Sequence, residues 1–333
     1  MIAAFLFQVA LATPAEEIAY TTTEDGYELG FSHYDNPGKP PVVLVHGISC
    51  NHRFYDLEPE QSLALSLWDA GFDVWNLDLR GHGLSLKGKK GRQRPSSVDV
   101  YGEQDLPAAF AYVQQRTGAE KLHYVGHSMG GMVLAIYLAT HPEPPLASAV
   151  VLASPLDLRD PDPLIGAVLH NTWVGTILPS LPTPFGAKLV GRLGTKSPLQ
   201  IDQLLYNPEL MERGVQQRSM RQIVAPVWRG ESRQFGLAKD GDFRSADGTD
   251  IYRERLSEIK VPMLFIAGRA DRIVHPDRVL AYYEAVGSAD KEWIVASRAN
   301  GFAGDYGHLD YALATAAKTE IFPRVIEWLQ NHP

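Results

Sequence analysis

The chain has 333 residues, of which 45% are hydrophobic, with one cysteine, a formal net charge of -8 and a pI near 5.8. That content can bury a full core in one large domain, or in one domain carrying an insertion, and it excludes a disordered chain. The acidic balance argues against a general attraction to nucleic acid or anionic lipid, and Cys50 alone excludes intramolecular disulfides and cysteine-based zinc sites.

The first twelve residues, MIAAFLFQVALA, are apolar and too short to span a bilayer. Their end, Ala10-Leu11-Ala12, has the small-x-small form of a signal-peptidase site, but no lysine or arginine precedes the apolar run. Residues 1–15 therefore read either as an export leader, which would place the protein in the periplasm or outside the cell, or as an N-terminal segment packed on a cytoplasmic domain. Ile18 to Thr23 and Tyr27 to His33 flank Asp25-Gly26, which predicts a tight antiparallel hairpin at a sheet edge. Val42 to Val45 reads as a buried strand, Glu60 to Ala70 as a helix closed by Gly71, and Phe72 to Leu77 as a second core strand. A basic run follows, with Lys87, Lys89, Lys90, Arg92 and Arg94, and reads as a solvated loop. Val98 to Arg116 reads as a helix, Leu122 to Val125 as a strand, Met132 to Ala139 as a helix and Ala149 to Ala153 as another strand.

After Ser154-Pro155 the rhythm changes, and residues 156–258 are rich in proline, glycine, aromatic residues and arginine without clear apolar strands. This stretch is expected to be an inserted helical lid or cap, with Ala167 to Val174 and Leu210 to Val227 as short helices. Strand patterning resumes at Val261 to Ala267, followed by a helix from Pro276 to Ala285, a strand from Trp293 to Ala296 and a closing helix to Gln330. The alternation predicts an α/β fold with a mostly parallel sheet flanked by helices, its core formed by residues 16–155 and 259–333.

Gly126-His127-Ser128-Met129-Gly130 lies between a strand and a helix. This is the context of a nucleophile elbow, where glycines two residues either side of the serine let strand and helix come together around a strained turn. In an open parallel sheet, functional residues gather at the carboxyl ends of strands. His46-Gly47-Ile48 follows the first core strand, Asp78 to Gly83 follows the second, Ser128 follows the third, and Gly268-Arg269-Ala270-Asp271 follows the next-to-last. The loop after the last strand carries Asp305-Tyr306-Gly307-His308. Serine, acid and histidine thus occur in the chain order of one particular class of serine hydrolases.

These features resemble the α/β-hydrolase superfamily. The GHSMGG, LDLRGHGLS, ASPLDL and GRADRIV segments resemble its monoacylglycerol lipase and lysophospholipase branch, and the closing GHLDY is similar to acid lipases. The resemblance covers about residues 40–155 and 260–330. It implies an α/β-hydrolase fold and serine-based acyl chemistry. Esterases, perhydrolases and carbon-carbon bond hydrolases share several of these motifs.

A serine hydroxyl needs an adjacent imidazole to take its proton, and His308 is the expected base. Asp271 is expected on the far ring nitrogen; Asp157, after the strand that follows the nucleophile, is the alternative. Asp305 and Asp310 read as helix-end or surface charges. The expected oxyanion donors are the N–H groups of Met129 and Ile48. His46, His82 and His127 read as structural. Within the insertion, Trp173, Ile177, Leu178, Leu181, Phe185 and Leu189 are candidates for an acyl pocket, alternatively the lid's own core, with Trp173 and Phe185 as the substrate contacts. The expected activity is hydrolysis of a carboxylic ester with a hydrophobic acyl chain, without metal or organic cofactor. The expected partner is a small-molecule ester or lipid-like substrate, met with or without transient contact with a membrane or lipid surface. Acyl transfer to an acceptor other than water uses the same residues, and a non-catalytic binding module requires a degraded triad.

Overall fold

The computed structural model describes residues 14–86, 97–159, 201–238 and 241–333, together with residues 180, 181, 183–185 and 187. The N-terminal apolar segment 1–12, the basic run 87–94, the expected helix 167–174 and Trp173 lie outside the described residues.

An eight-stranded sheet has the order β1-β2-β4-β3-β5-β6-β9-β10. Its strands are β1 (Glu17–Thr22), β2 (Glu28–Tyr34), β3 (Pro41–Val45), β4 (Asp73–Asp78), β5 (Leu122–His127), β6 (Leu146–Leu152), β9 (Met263–Gly268) and β10 (Lys291–Ala296). Two-residue strands β7 (Ser180–Leu181) and β8 (Val227–Trp228) form a separate antiparallel pair. From β4 to β10 every neighbour pairs in parallel, whereas β2 pairs antiparallel to both β1 and β4. Strands β3 and β9 are buried along their whole length, as continuous apolar runs in a doubly covered parallel sheet require.

Three details differ from the sequence expectation. The hairpin is not tight: Thr22 faces Glu28, so five residues, 23–27, connect the strands, and Tyr27 N–H donates to Thr23 Oγ1 at 2.8 Å. A threonine that caps its own turn competes with a two-residue turn at Asp25-Gly26. Helix α1 covers only Leu63–Asp69, because Ser62 Oγ accepts from Leu65 N–H and sets its start. The helix expected from Val98 opens with a wide π turn at Tyr101–Asp105 before α2 (Leu106–Thr117). Pro107 has no N–H to donate to the carbonyl four residues earlier, which leaves the first turn free to widen.

Strand β5 enters α3 (Met129–Thr140) through Ser128, whose φ of 51° and ψ of -118° lie outside the regions open to most residues. The close approach needs its glycines. A Cβ at residue 130 would sit 2.3 Å from the Val45 carbonyl oxygen, and one at residue 126 would sit 2.8 Å from the backbone of residues 130 and 131. These obstacles are main chain of β3 and α3 and cannot swing aside. Gly130→Ala is expected to lower stability by about 3 kcal/mol or more, through overpacking, and to displace the turn. A melting curve superimposable on wild type would contradict this.

The described part of the stretch 156–258 contains helices Ile201–Leu205, Arg213–Gln222 and Arg229–Leu237 besides β7 and β8. It returns to the core beside β6, where Asp157 bridges to Asp242 and Phe243 N–H donates to the Leu156 carbonyl at 3.0 Å.

Candidate active site

Ser128, at the carboxyl end of β5, is held by its own N–H, which donates to the Leu152 carbonyl of β6 at 2.8 Å. Its Oγ lies 3.0 Å from His308 Nε2, and His308 Nδ1 lies 2.8 Å from Asp271 Oδ2. All three residues are buried. Asp271 Oδ1 accepts the N–H groups of Ile273 at 2.9 Å and Val274 at 2.8 Å, so one carboxylate oxygen is reserved for the loop and the other for the imidazole. The loops after β9 and β10 interlock: Ala270 N–H donates to the Tyr306 carbonyl at 2.9 Å, and a Cβ at residue 268 would strike that same oxygen at 2.3 Å. This contact brings two loops 37 positions apart in sequence into one pair.

The alternative acid is engaged elsewhere. Asp157 pairs with Arg159 and, at 3.5 Å, with Arg278; burial opposes its charge, but Arg159 holds the carboxyl below its ordinary range. Asp305 Oδ1 accepts Arg298 N–H at 2.9 Å, in keeping with a helix-end charge. Asp310 is not a surface charge. It is fully buried, and its Oδ2 accepts Gly307 N–H at 2.6 Å and Asn207 N–H at 2.9 Å. Burial pushes it up to about 7, so this acid supports the histidine loop from beneath rather than facing solvent.

The loop after β3 lies against the serine. A Cβ on Gly47 would stand 3.0 Å from both Ser128 Cβ and His127 Nδ1, so a larger residue would press on the serine and the histidine. Met129 is the first residue of α3, and among the described residues no acceptor faces its N–H or that of Ile48. Stabilisation of an anionic oxygen requires backbone N–H groups without an internal acceptor.

The three other histidines sit in structural positions. His127 Nε2 donates to the His308 carbonyl at 2.8 Å, its ring stacks on Phe54 at 4.3 Å, and burial holds it well below its ordinary pKa. His46 turns Nδ1 to the Gly47 carbonyl at 2.8 Å and accepts Leu79 N–H at 3.3 Å; burial pushes it down to about 3. His82, pushed down to about 4 by burial, points Nδ1 at the Arg80 carbonyl at 3.1 Å. Phe185 is 78% exposed.

Sequence reading missed two groups. Asp78, the last residue of β4, holds the loop that follows β3: its Oδ1 accepts His52 N–H and its Oδ2 faces His52 Nδ1, both at 2.6 Å. Its place at a strand end was the available signal. The second is Glu231, fully buried on helix Arg229–Leu237, which accepts from Tyr101 OH at 2.9 Å and Trp228 N–H at 2.6 Å. Its Oε1 also lies 3.3 Å from His82 Nε2. Because His82 Nδ1–H is committed to the Arg80 carbonyl, that Nε2 is a bare acceptor, which a protonated Glu231 can satisfy.

Burial raises Glu231 from 4.5 to about 7. An acid raised in the folded state contributes stability that is full below its unfolded pKa and lost as pH rises through the folded one. Glu231→Gln is therefore expected to flatten the fall in melting temperature between about pH 5 and pH 8. Parallel profiles for variant and wild type would assign that proton uptake elsewhere.

Comparison with known proteins now adds to this geometry. Residues 40–310 match the model of the family described as alpha/beta hydrolase fold. The chain belongs to that family. Among curated relatives, the gastric triacylglycerol lipase of Rattus norvegicus is 40% identical over 137 residues, 36% of this chain and 34% of the relative. The match thus spans about a third of that relative's length. Lipase 1 of Drosophila melanogaster is 25% identical over 350 residues, 95% of this chain and 77% of the relative. Among solved structures, a thermophilic esterase from Thermogutta terrifontis superposes with a TM-score of 0.65 at 18% identity, covering 95% of this chain and 100% of that one. In this alpha/beta hydrolase, as the sheet order already required, the serine, the acid and the histidine all come from the carboxyl edge of the sheet. No helix among the described residues is long and apolar enough to cross a membrane.

Proposed function

We propose that this alpha/beta hydrolase cleaves carboxylic esters through an acyl-enzyme on Ser128. The observation that carries the proposal is the continuous relay from Ser128 Oγ through His308 to Asp271, built on a strained elbow. In this reading His308 Nε2 takes the Ser128 proton as Oγ attacks the ester carbonyl, and Asp271 holds the proton on Nδ1 and stabilises the imidazolium. The tetrahedral oxyanion is received by the N–H groups of Ile48 and Met129, each worth about 3 kcal/mol in the transition state. His308 then returns its proton to the leaving alcohol; the same nitrogen next takes a proton from the water that attacks the acyl-enzyme and gives it to Ser128 Oγ as the acid departs.

The substrate class we assign is an ester with a hydrophobic acyl chain. Two things support it: the relatives whose names are lipases, one of them a triacylglycerol lipase, and the apolar residues of the stretch 156–258, among them Trp173 and Phe185. A fluorophosphonate probe is expected to add to wild-type protein at a single peptide, the one containing Ser128. A panel of p-nitrophenyl esters is expected to give its highest kcat/KM beyond acetate. Absence of labelling would overturn the enzymatic reading, and a preference for acetate would overturn the acyl assignment alone.

A further inference from the structure

Ser49, directly after Ile48, has a φ of 58°, in the left-handed region where a residue with a side chain is strained unless its surroundings hold it. What holds it comes from the inserted stretch. Ala225 N–H donates to the Ser49 carbonyl at 2.9 Å, and Ser49 Oγ donates back to the Ala225 carbonyl at 2.8 Å. That carbonyl also accepts Thr183 Oγ1 at 2.6 Å, and the two hydroxyl oxygens are 3.1 Å apart. Thr183 lies two residues after β7 and Ala225 two residues before β8, whose pairing sets Leu181 opposite Val227. Beside it, Asn51 Nδ2 donates to the Gln222 carbonyl at 2.9 Å. Ile223 and Ala225 are buried, so this strap is packed onto the core and not draped over it.

The consequence concerns the peptide unit one position earlier. Released from Ala225, Ser49 is free to relax toward negative φ, a rotation about the bond that follows the Ile48 peptide and alters the path of the loop carrying the Ile48 N–H. A preorganised donor loses its value when it drifts by about 1 Å. We propose that Ser49 and Thr183 are positioning residues for the reaction, and that the inserted stretch completes the oxyanion site through Ala225. The inference rests on the reading of Ile48 N–H as an oxyanion donor in an ester hydrolase. It makes the stretch 156–258 part of the geometry that stabilises the transition state.

The test is steady-state kinetics on p-nitrophenyl butyrate with Ser49→Ala, Thr183→Val, the double variant and Thr183→Ser. Each hydroxyl-deleting variant is expected to lower kcat about tenfold while KM stays within about twofold, because the lost contact acts on the transition state and not on substrate affinity. The double variant is expected to lose less than the product of the singles, since both hydroxyls serve one carbonyl. Thr183→Ser, which keeps the hydroxyl, is expected to restore kcat. Thr183→Val carries the test should Ser49→Ala fail to fold, and Ser49→Gly, which holds positive φ without strain, is expected to lose less of kcat than Ser49→Ala. Wild-type protein that neither turns over the ester nor takes the fluorophosphonate would defeat the underlying function. An active wild type whose variants keep kcat, or change only KM, would defeat the positioning role and leave the function standing.

Discussion

Ser128→Ala is expected to abolish fluorophosphonate labelling and to lower ester turnover by about 10⁴- to 10⁶-fold. The loss is large because the acyl-enzyme has no other attachment point: the imidazole 3.0 Å away has only Ser128 Oγ to activate. It is also informative because the fold should tolerate it. Alanine removes one oxygen from a buried side chain whose backbone is fixed by the bond from Ser128 N–H to the Leu152 carbonyl. The residual rate above the uncatalysed reaction, about 10³-fold, would report what the oxyanion donors and binding contribute alone. His308→Ala is expected to match it, since residues acting as one unit lose nearly everything on the first deletion. Turnover within about tenfold of wild type in Ser128→Ala would place the chemistry on another residue.

The second large effect is expected from Asp271→Asn, at about 10⁴-fold in kcat. The surrounding hydrogen bonds dictate which way the new amide would point. Ile273 and Val274 present two N–H donors to Oδ1, so an asparagine would keep its oxygen there and turn its NH₂ toward His308 Nδ1. His308 would then have to accept at Nδ1 and carry its proton on Nε2, the nitrogen that must take the proton from Ser128. The inactive tautomer would be enforced without a change in shape. Asp157→Asn, by contrast, weakens the contacts with Arg159 and Arg278 and is expected to leave kcat within about twofold. The reverse pattern across the two variants would make Asp157 the acid.

Legibility in the sequence follows the range of the forces involved. The glycines at 126 and 130 announce the elbow because their spacing around the serine is a local pattern, and the core strands show as apolar runs that only a doubly covered sheet can bury. The π turn at Tyr101–Asp105 and the five-residue hairpin loop were hidden by single hydrogen bonds, one missing at Pro107 and one supplied by Thr23. Asp310 read as a charge at a helix end, and only packing shows that the end is buried.

The sequence by itself determined the sheet, the turn that carries Ser128 and the chain order of serine, acid and histidine, because glycine spacing and hydrophobic period act within a few residues. Tertiary structure decided the rest. The engagement of Asp271 rather than Asp157, the burial of Glu231 beside His82 and the hold of Ala225 on Ser49 each depend on groups far apart in the chain. Such contacts leave no periodic trace: the Ala225 bonds are made largely by backbone atoms, which every sequence possesses and only a fold can aim.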